Sequence, residues 1–196
     1  MRLLTLLFSF LIASGAAAQQ QQSPEELVKQ VTDDVLSSIK SDKQLQAGDK
    51  KKALDLAEQK ILPHVDFRAS ASMAAGQAWR QATPEQKDQI TKEFRSMLIR
   101  IYSNAIGVYQ GQTMKVLPVR TTPTATETTV RNQYMKPGER PVIIEYAMHK
   151  TDKGWQIYDI VVEGVSLVLT FRSEFDQIAK TAGVDGLIKK MQEKNA

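Results

Sequence analysis

The chain has no cysteine and only two histidines, His64 and His149, in 196 residues. Without cysteine there is no disulfide, no thiol nucleophile, no zinc knuckle and no iron–sulfur ligation. Two histidines are too few for a histidine-built metal site. The sequence also lacks a P-loop, a glycine-rich dinucleotide turn, an HExxH pair and an EF-hand loop. Basic residues outnumber acidic ones by only four, 26 against 22. The lysines alternate with acids rather than with aromatics, so no nucleic-acid surface is drawn. A sequence pI near 9.2 permits an anionic partner without naming one. What remains is a chain with 42% hydrophobic and 24% charged residues. That is enough for one domain with a real core, and too apolar for wholesale disorder.

The longest apolar run lies at the start. Met1-Arg2 is followed by an apolar stretch from Leu3 to Ala13, then by Ser14-Gly15-Ala16-Ala17-Ala18. A positive start, a core of about eleven apolar residues and a small-residue A-x-A site make a secretory signal peptide. The run falls short of the roughly 20 residues that span a bilayer. Cleavage is expected after Ala18, leaving one domain over 19–196. Loss of Arg2 takes the formal charge from +4 to +3. No cysteine follows to carry a lipid anchor, and an exported chain without cysteine fits the bacterial periplasm.

Ser23-Pro24-Glu25-Glu26 has the capping pattern of a helix start, and Leu27, Val31, Val35 and Ile39 give that helix one apolar face. Lys40 to Lys60 predicts a second helix, Asp66 caps a third, and Thr83-Pro84-Glu85-Gln86 opens the longest. Its stripe of Ile90, Phe94, Met97, Leu98, Ile101 and Tyr102 is wide enough to face a core. After Gly107 the texture turns β-branched and aromatic. Strands are expected over 114–120, 126–135, 141–150 and 155–163, the last three joined by turn-forming segments. Ser166 is placed to cap a helix running to about Ala182, with a final one over 184–193. Helices over about 23–106, a four-stranded antiparallel sheet over about 113–163 and helices over about 166–193 define an α+β domain.

On the third strand Ile144, Tyr146 and Met148 share a face; on the fourth, Tyr158, Ile160 and Val162 do, with Ile157 on the other. The fourth strand is apolar on both sides, and Val168, Leu169 and Phe171 follow it closely. A filled core beneath the long helix and an apolar cavity for a ligand use the same residues. Periodicity does not separate them.

Candidate catalytic groups reduce to ordinary roles. Gly164-Val165-Ser166-Leu167-Val168 starts like a nucleophile elbow but has Val168 where the second glycine belongs. Ser166 serves equally well as a helix cap. Asp159 and Glu163, four apart on one strand, would lie about 13 Å from each other. Hydrogen bonding to turns and pairing with cations account for them.

The run Trp155-Gln156-Ile157-Tyr158-Asp159-Ile160-Val161-Val162-Glu163-Gly164-Val165-Ser166-Leu167 resembles the MlaC family of periplasmic phospholipid carriers, also described as toluene-tolerance proteins. Trp79-x-x-Ala82-Thr83-x-x-Gln86 and Val184-Asp185-Gly186-Leu187-Ile188 fit the same pattern. The resemblance implies helices around a twisted four-stranded sheet, enclosing a deep apolar pocket for acyl tails. It implies diacyl phospholipid as cargo, no catalytic residue and no cofactor. It also implies shuttling between an outer-membrane lipoprotein–porin complex and an inner-membrane ABC transporter with an MCE-domain protein, which maintains outer-membrane lipid asymmetry. On that footing the expected lipid-binding residues are Tyr102, Ile106, Ile144, Tyr146, Met148, Ile160, Val162, Val165, Val168 and Leu169. The competing readings are an enzyme using Asp159 or Glu163 as base on a similar scaffold, and an adaptor bridging protein partners through its basic helices.

Overall fold

The computed structural model describes residues 22–102, 111–119, 122 and 124–196. The expected signal segment and Ile106 lie outside these residues. The chain opens with α1 (Pro24–Ser41), capped reciprocally by Ser23 and Glu26. Next come α2 (Lys43–Gln46) and α3 (Lys50–Lys60), where the sequence predicts one helix. The break falls at Gly48, whose φ of 82° no helix tolerates, and Asp49 recaps the chain. A 3-10 turn over Leu62–His64 leads to α4 (Phe67–Ala75), capped by Asp66, then α5 (Gln77–Gln81) and the long α6 (Pro84–Tyr102). Thr83 and Gln86 exchange the two hydrogen bonds of a capping box at the start of α6.

The strands β1 (Thr113–Val116), β2 (Glu127–Met135), β3 (Val142–Thr151), β4 (Gly154–Val162) and β5 (Val165–Ser166) form an antiparallel meander in chain order. The fifth strand is an addition to the four expected. Glu163 and Gly164 both hold positive φ, 49° and 85°, the geometry of a two-residue hairpin turn, and return the chain onto β4. Glu163 is therefore a turn residue paired with Arg140, rather than a strand residue on the same face as Asp159. A further 3-10 turn (Leu169–Phe171) precedes α7 (Arg172–Asn195), which is kinked at Gly183 between the two helical stretches expected there.

One irregularity re-aims a side chain. Ala147 and Met148 are neighbours on β3, yet they face Asp159 and Ile157 on β4, leaving Tyr158 unpaired in a β-bulge. Ile157 thereby joins the face of Ile160, against expectation, while the Tyr158 ring tilts against His149 at 5.2 Å.

The apolar interior is divided. Ile90, Phe94 and Met97 of α6 pack against Phe175, Leu187 and Met191 of α7 and the alanine face of α4. Phe94 meets Phe171 and Phe175 edge-on at 5.6 and 5.9 Å. The sheet is covered instead by α1, through Leu27 and Val28 on Val130, Met148 and Ile157. The long helix thus spends Ile90, Phe94 and Met97 on other helices, while Leu98 and Tyr102 border the space left between the two clusters.

Gly76 joins α4 to α5 with φ 53° and ψ −108°, and a Cβ there would lie 2.1 Å from the Arg172 guanidinium carbon. That guanidinium donates to the Met73 carbonyl oxygen, tying α7 to the end of α4. Gly76→Ala is expected to cost about 2 kcal/mol, lowering the melting temperature by roughly 4–8 °C in a thermal circular dichroism scan.

Candidate functional site

Two apolar chambers occupy the space between the clusters. The larger, about 330 Å³, is bounded by Ile61 and Leu62 after α3, by Leu98 and Tyr102 of α6, and by Ile144 and Val162 of the sheet. The smaller, about 230 Å³, lies beneath α1, with Val31, Val35 and Ile39 on one side and Met114 and Tyr134 on the other. Ile61, Val65, Tyr146, Ile157 and Ile160 line both, so they form the wall between them. Neither lining contains a lysine, arginine or histidine. A wider open depression of about 670 Å³ beside Pro24, Pro118 and Trp155 shares no residue with either chamber.

Tyr146 is the most informative member of that wall. Burial pushes its hydroxyl up to about 12, with the Asn132 amide beside it holding back part of the rise, so it remains a neutral donor. Burial also raises Tyr102, helped by the Asp159 charge, and its hydroxyl donates to the Leu167 carbonyl oxygen at 3.4 Å.

Asp159 is 6% exposed and borders the larger chamber. Its carboxylate accepts from the Ser166 hydroxyl at 2.6 Å and from the Val168 N–H at 3.2 Å. Ser166 Oγ in turn accepts from the Leu169 N–H at 2.8 Å. The hydroxyl proton of Ser166 is thus directed to a carboxylate rather than to a base. His149 is hydrogen-bonded to Asp66 at 3.0 Å instead. This is a clasp that closes the turn after β4 and has no triad geometry.

Of the ten residues expected to line a tail site, Tyr102, Ile144, Tyr146, Ile160, Val162 and Val168 meet at the larger chamber. Met148 does not reach it: at 0% exposure it is held in the α1–sheet cluster. Val165 and Leu169 are surface residues, 59% and 45% exposed. Val165 sits on the edge strand, and Leu169 turns outward because Val168 and Phe171 take the inward positions of the 3-10 turn. Sequence reasoning missed Ile61, Leu62, Val65 and Phe67, although an apolar pair before Pro63 is a visible signal. It also missed Ile157, which only the bulge brings inward.

Helices and an open sheet that hold separate cores, with a two-chambered hydrocarbon-lined cavity between them, define a protein that encloses an apolar ligand. The chain belongs to the MlaC family, whose model, described as MlaC protein, matches residues 29–193. It is 25% identical over 191 residues to the intermembrane phospholipid transport system binding protein MlaC of Haemophilus influenzae, covering 96% of this chain and 88% of that one. It is 25% identical over 189 residues to the toluene tolerance protein ttg2D of Pseudomonas putida, covering 93% and 83%. Among solved structures it resembles a phospholipid-binding protein from Ralstonia solanacearum in complex with a phospholipid. That match has a TM-score of 0.80 at 38% identity, over 89% of this chain and 97% of the other.

Proposed function

We propose that this protein is a non-enzymatic carrier of diacyl phospholipid that holds one acyl tail in each chamber. The observation that carries the reading is the shared wall of Ile61, Val65, Tyr146, Ile157 and Ile160, which divides one apolar space into two adjoining chambers. A lipid with two tails joined at one glycerol has that shape. The solved relative from Ralstonia solanacearum, with its phospholipid, supports the reading.

The energetics fit a carrier. Each methylene kept from water is worth about 0.8 kcal/mol, so a sixteen-carbon tail resists transfer through water by roughly 13 kcal/mol. Offering comparable burial needs no nucleophile, metal or base. Tyr102, Ile144, Ile160, Val162 and Val168 form the tail surface of the larger chamber, with Tyr146 between the two. The first eighteen residues act as a cleaved export signal, the mature chain works in the periplasm, and it exchanges lipid with an outer-membrane lipoprotein–porin complex and an inner-membrane ABC transporter bearing an MCE-domain protein. No helix among the described residues is long and apolar enough to cross a membrane.

Organic extraction of the purified mature chain, followed by mass spectrometry, is expected to recover about one diacyl phospholipid per protein. Recovery of no lipid from protein that melts cooperatively would overturn the carrier reading and favour the adaptor.

A further inference from the structure

We propose that His149 is a positioning residue of the lipid site: through Asp66 it fastens to the sheet the strap of chain, residues 61–67, that walls both chambers. The inference rests on the carrier reading and deepens it. The strap joins α3 to α4. Its Ile61, Leu62, Val65 and Phe67 line the larger chamber, and Ile61 and Val65 line the smaller as well. None of these four side chains belongs to an apolar core cluster among the described residues. Polar ties have to hold what core packing does not.

On the sheet side the ties converge on the bulge in β4. Val65 forms an isolated parallel bridge with Ile157, and the Asp66 N–H donates to the Ile157 carbonyl oxygen at 2.8 Å. Just beyond the strap, the Ser70 hydroxyl donates to the carbonyl oxygen of Tyr158, the unpaired residue, at 2.7 Å. These ties all end on one strand, which makes β4 a hinge line about which the strap can swing. His149 reaches the strap from β3 instead. Its Nε2 lies 3.0 Å from Asp66 Oδ2 and, since a carboxylate only accepts, carries the proton. Asp66 Oδ1 accepts from the Ala69 N–H at 2.9 Å as the cap of α4, so one oxygen serves the helix and the other the sheet. A tie to a second strand removes the freedom to swing. Without it, Ile61 and Val65 would part from Tyr146 and Ile160, and the wall between the chambers would open. The His149 and Asp66 side chains both reach solvent, 25% and 23% exposed, so breaking their bond loosens the strap without stranding a charge in the interior. On its far side the strap keeps the Arg95 guanidinium, 5.6 Å from the centre of the Phe67 ring.

The test uses the delipidated mature chain, loaded with radiolabelled dipalmitoyl phosphatidylethanolamine and mixed with vesicles of phosphatidylethanolamine and phosphatidylglycerol. The half-time of lipid transfer to the vesicles is read beside the melting temperature. His149→Phe keeps a ring against Tyr158, which lies 5.2 Å from the imidazole, and removes the donor. It is expected to shorten the half-time about fivefold, the size of one net hydrogen bond. His149→Gln restores an N–H donor at similar reach without the ring, and is expected to return the half-time close to wild type. Gly76→Ala, at the far end of α4, is expected to lower the melting temperature and leave the half-time unchanged. His149→Leu serves if His149→Phe fails to fold. Wild-type transfer by the folded variant without a donor would overturn the positioning role, because the bond then holds nothing the lipid depends on. Fast transfer by His149→Gln would overturn it in favour of the ring contact with Tyr158. Fast transfer by Gly76→Ala would overturn it in favour of a general loss of stability. Failure of the wild-type chain to take up lipid would instead overturn the carrier reading.

Discussion

Ile160→Glu is expected to yield a folded protein that purifies without lipid. Ile160 lines both chambers and is the cross-strand partner of Tyr146, so a carboxylate there faces both tail sites at once. Neither lining offers a basic residue to pair with it. Burying an unpaired carboxylate against acyl chains costs several kcal/mol, which corresponds to roughly 1,000-fold weaker retention. In the empty chambers water reaches the same carboxylate, so the penalty falls mainly on the loaded state. The readouts are extracted phospholipid per protein and the far-ultraviolet circular dichroism spectrum. Val165→Glu is the control, since Val165 is 59% exposed, and it should extract the same lipid as wild type. Full lipid content in folded Ile160→Glu would show that the tails lie elsewhere.

The contrast between Ile160 and Val165 also shows where the sequence was readable. Capping residues announced α1, α4 and α6, because a cap is a local bargain between one side chain and the next three N–H groups. Glycine and proline spacing announced the hairpins of the sheet. The residues around Tyr158 pointed to the family but not to the bulge, because nothing in the period of two marks which residue will be left unpaired. That single slip placed Ile157 on the wrong face. The cavity itself was not legible, since it depends on a long-range choice by Phe94 and Met97. They pack on Phe175, Leu187 and Met191 rather than on the sheet, and an apolar stripe does not name its partner. Val165 was misplaced for a related reason. It shares a face with Val162, but at an edge strand of two residues that face is no longer covered.

Asp159→Ala is expected to be the most destabilising single change at the site, lowering stability by about 3 kcal/mol and the melting temperature by roughly 6–12 °C. The Asp159 carboxylate is nearly buried and has no cation in the chamber lining, so its two accepted hydrogen bonds are what hold it there. Those bonds come from Ser166 and Val168, and Leu167 is tied to Ile160 by its own N–H at 2.8 Å. Together they pin the segment after β5, whose Leu167 and Val168 wall the larger chamber. Removing the carboxylate frees that wall as well as costing stability, so lipid should leave faster at temperatures well below melting. Asp159→Asn keeps one oxygen to accept from Val168 and should fall about halfway between alanine and wild type. Ser166→Ala removes one of the same bonds, so its effect and that of Asp159→Ala should not add, and the double-mutant cycle should give a coupling of about 1 kcal/mol or more. A catalytic Asp159 would behave differently: asparagine would abolish turnover yet leave melting and lipid exchange near wild type. An Asp159→Ala protein melting within a degree of wild type would show that the chamber wall is held by something other than this clasp.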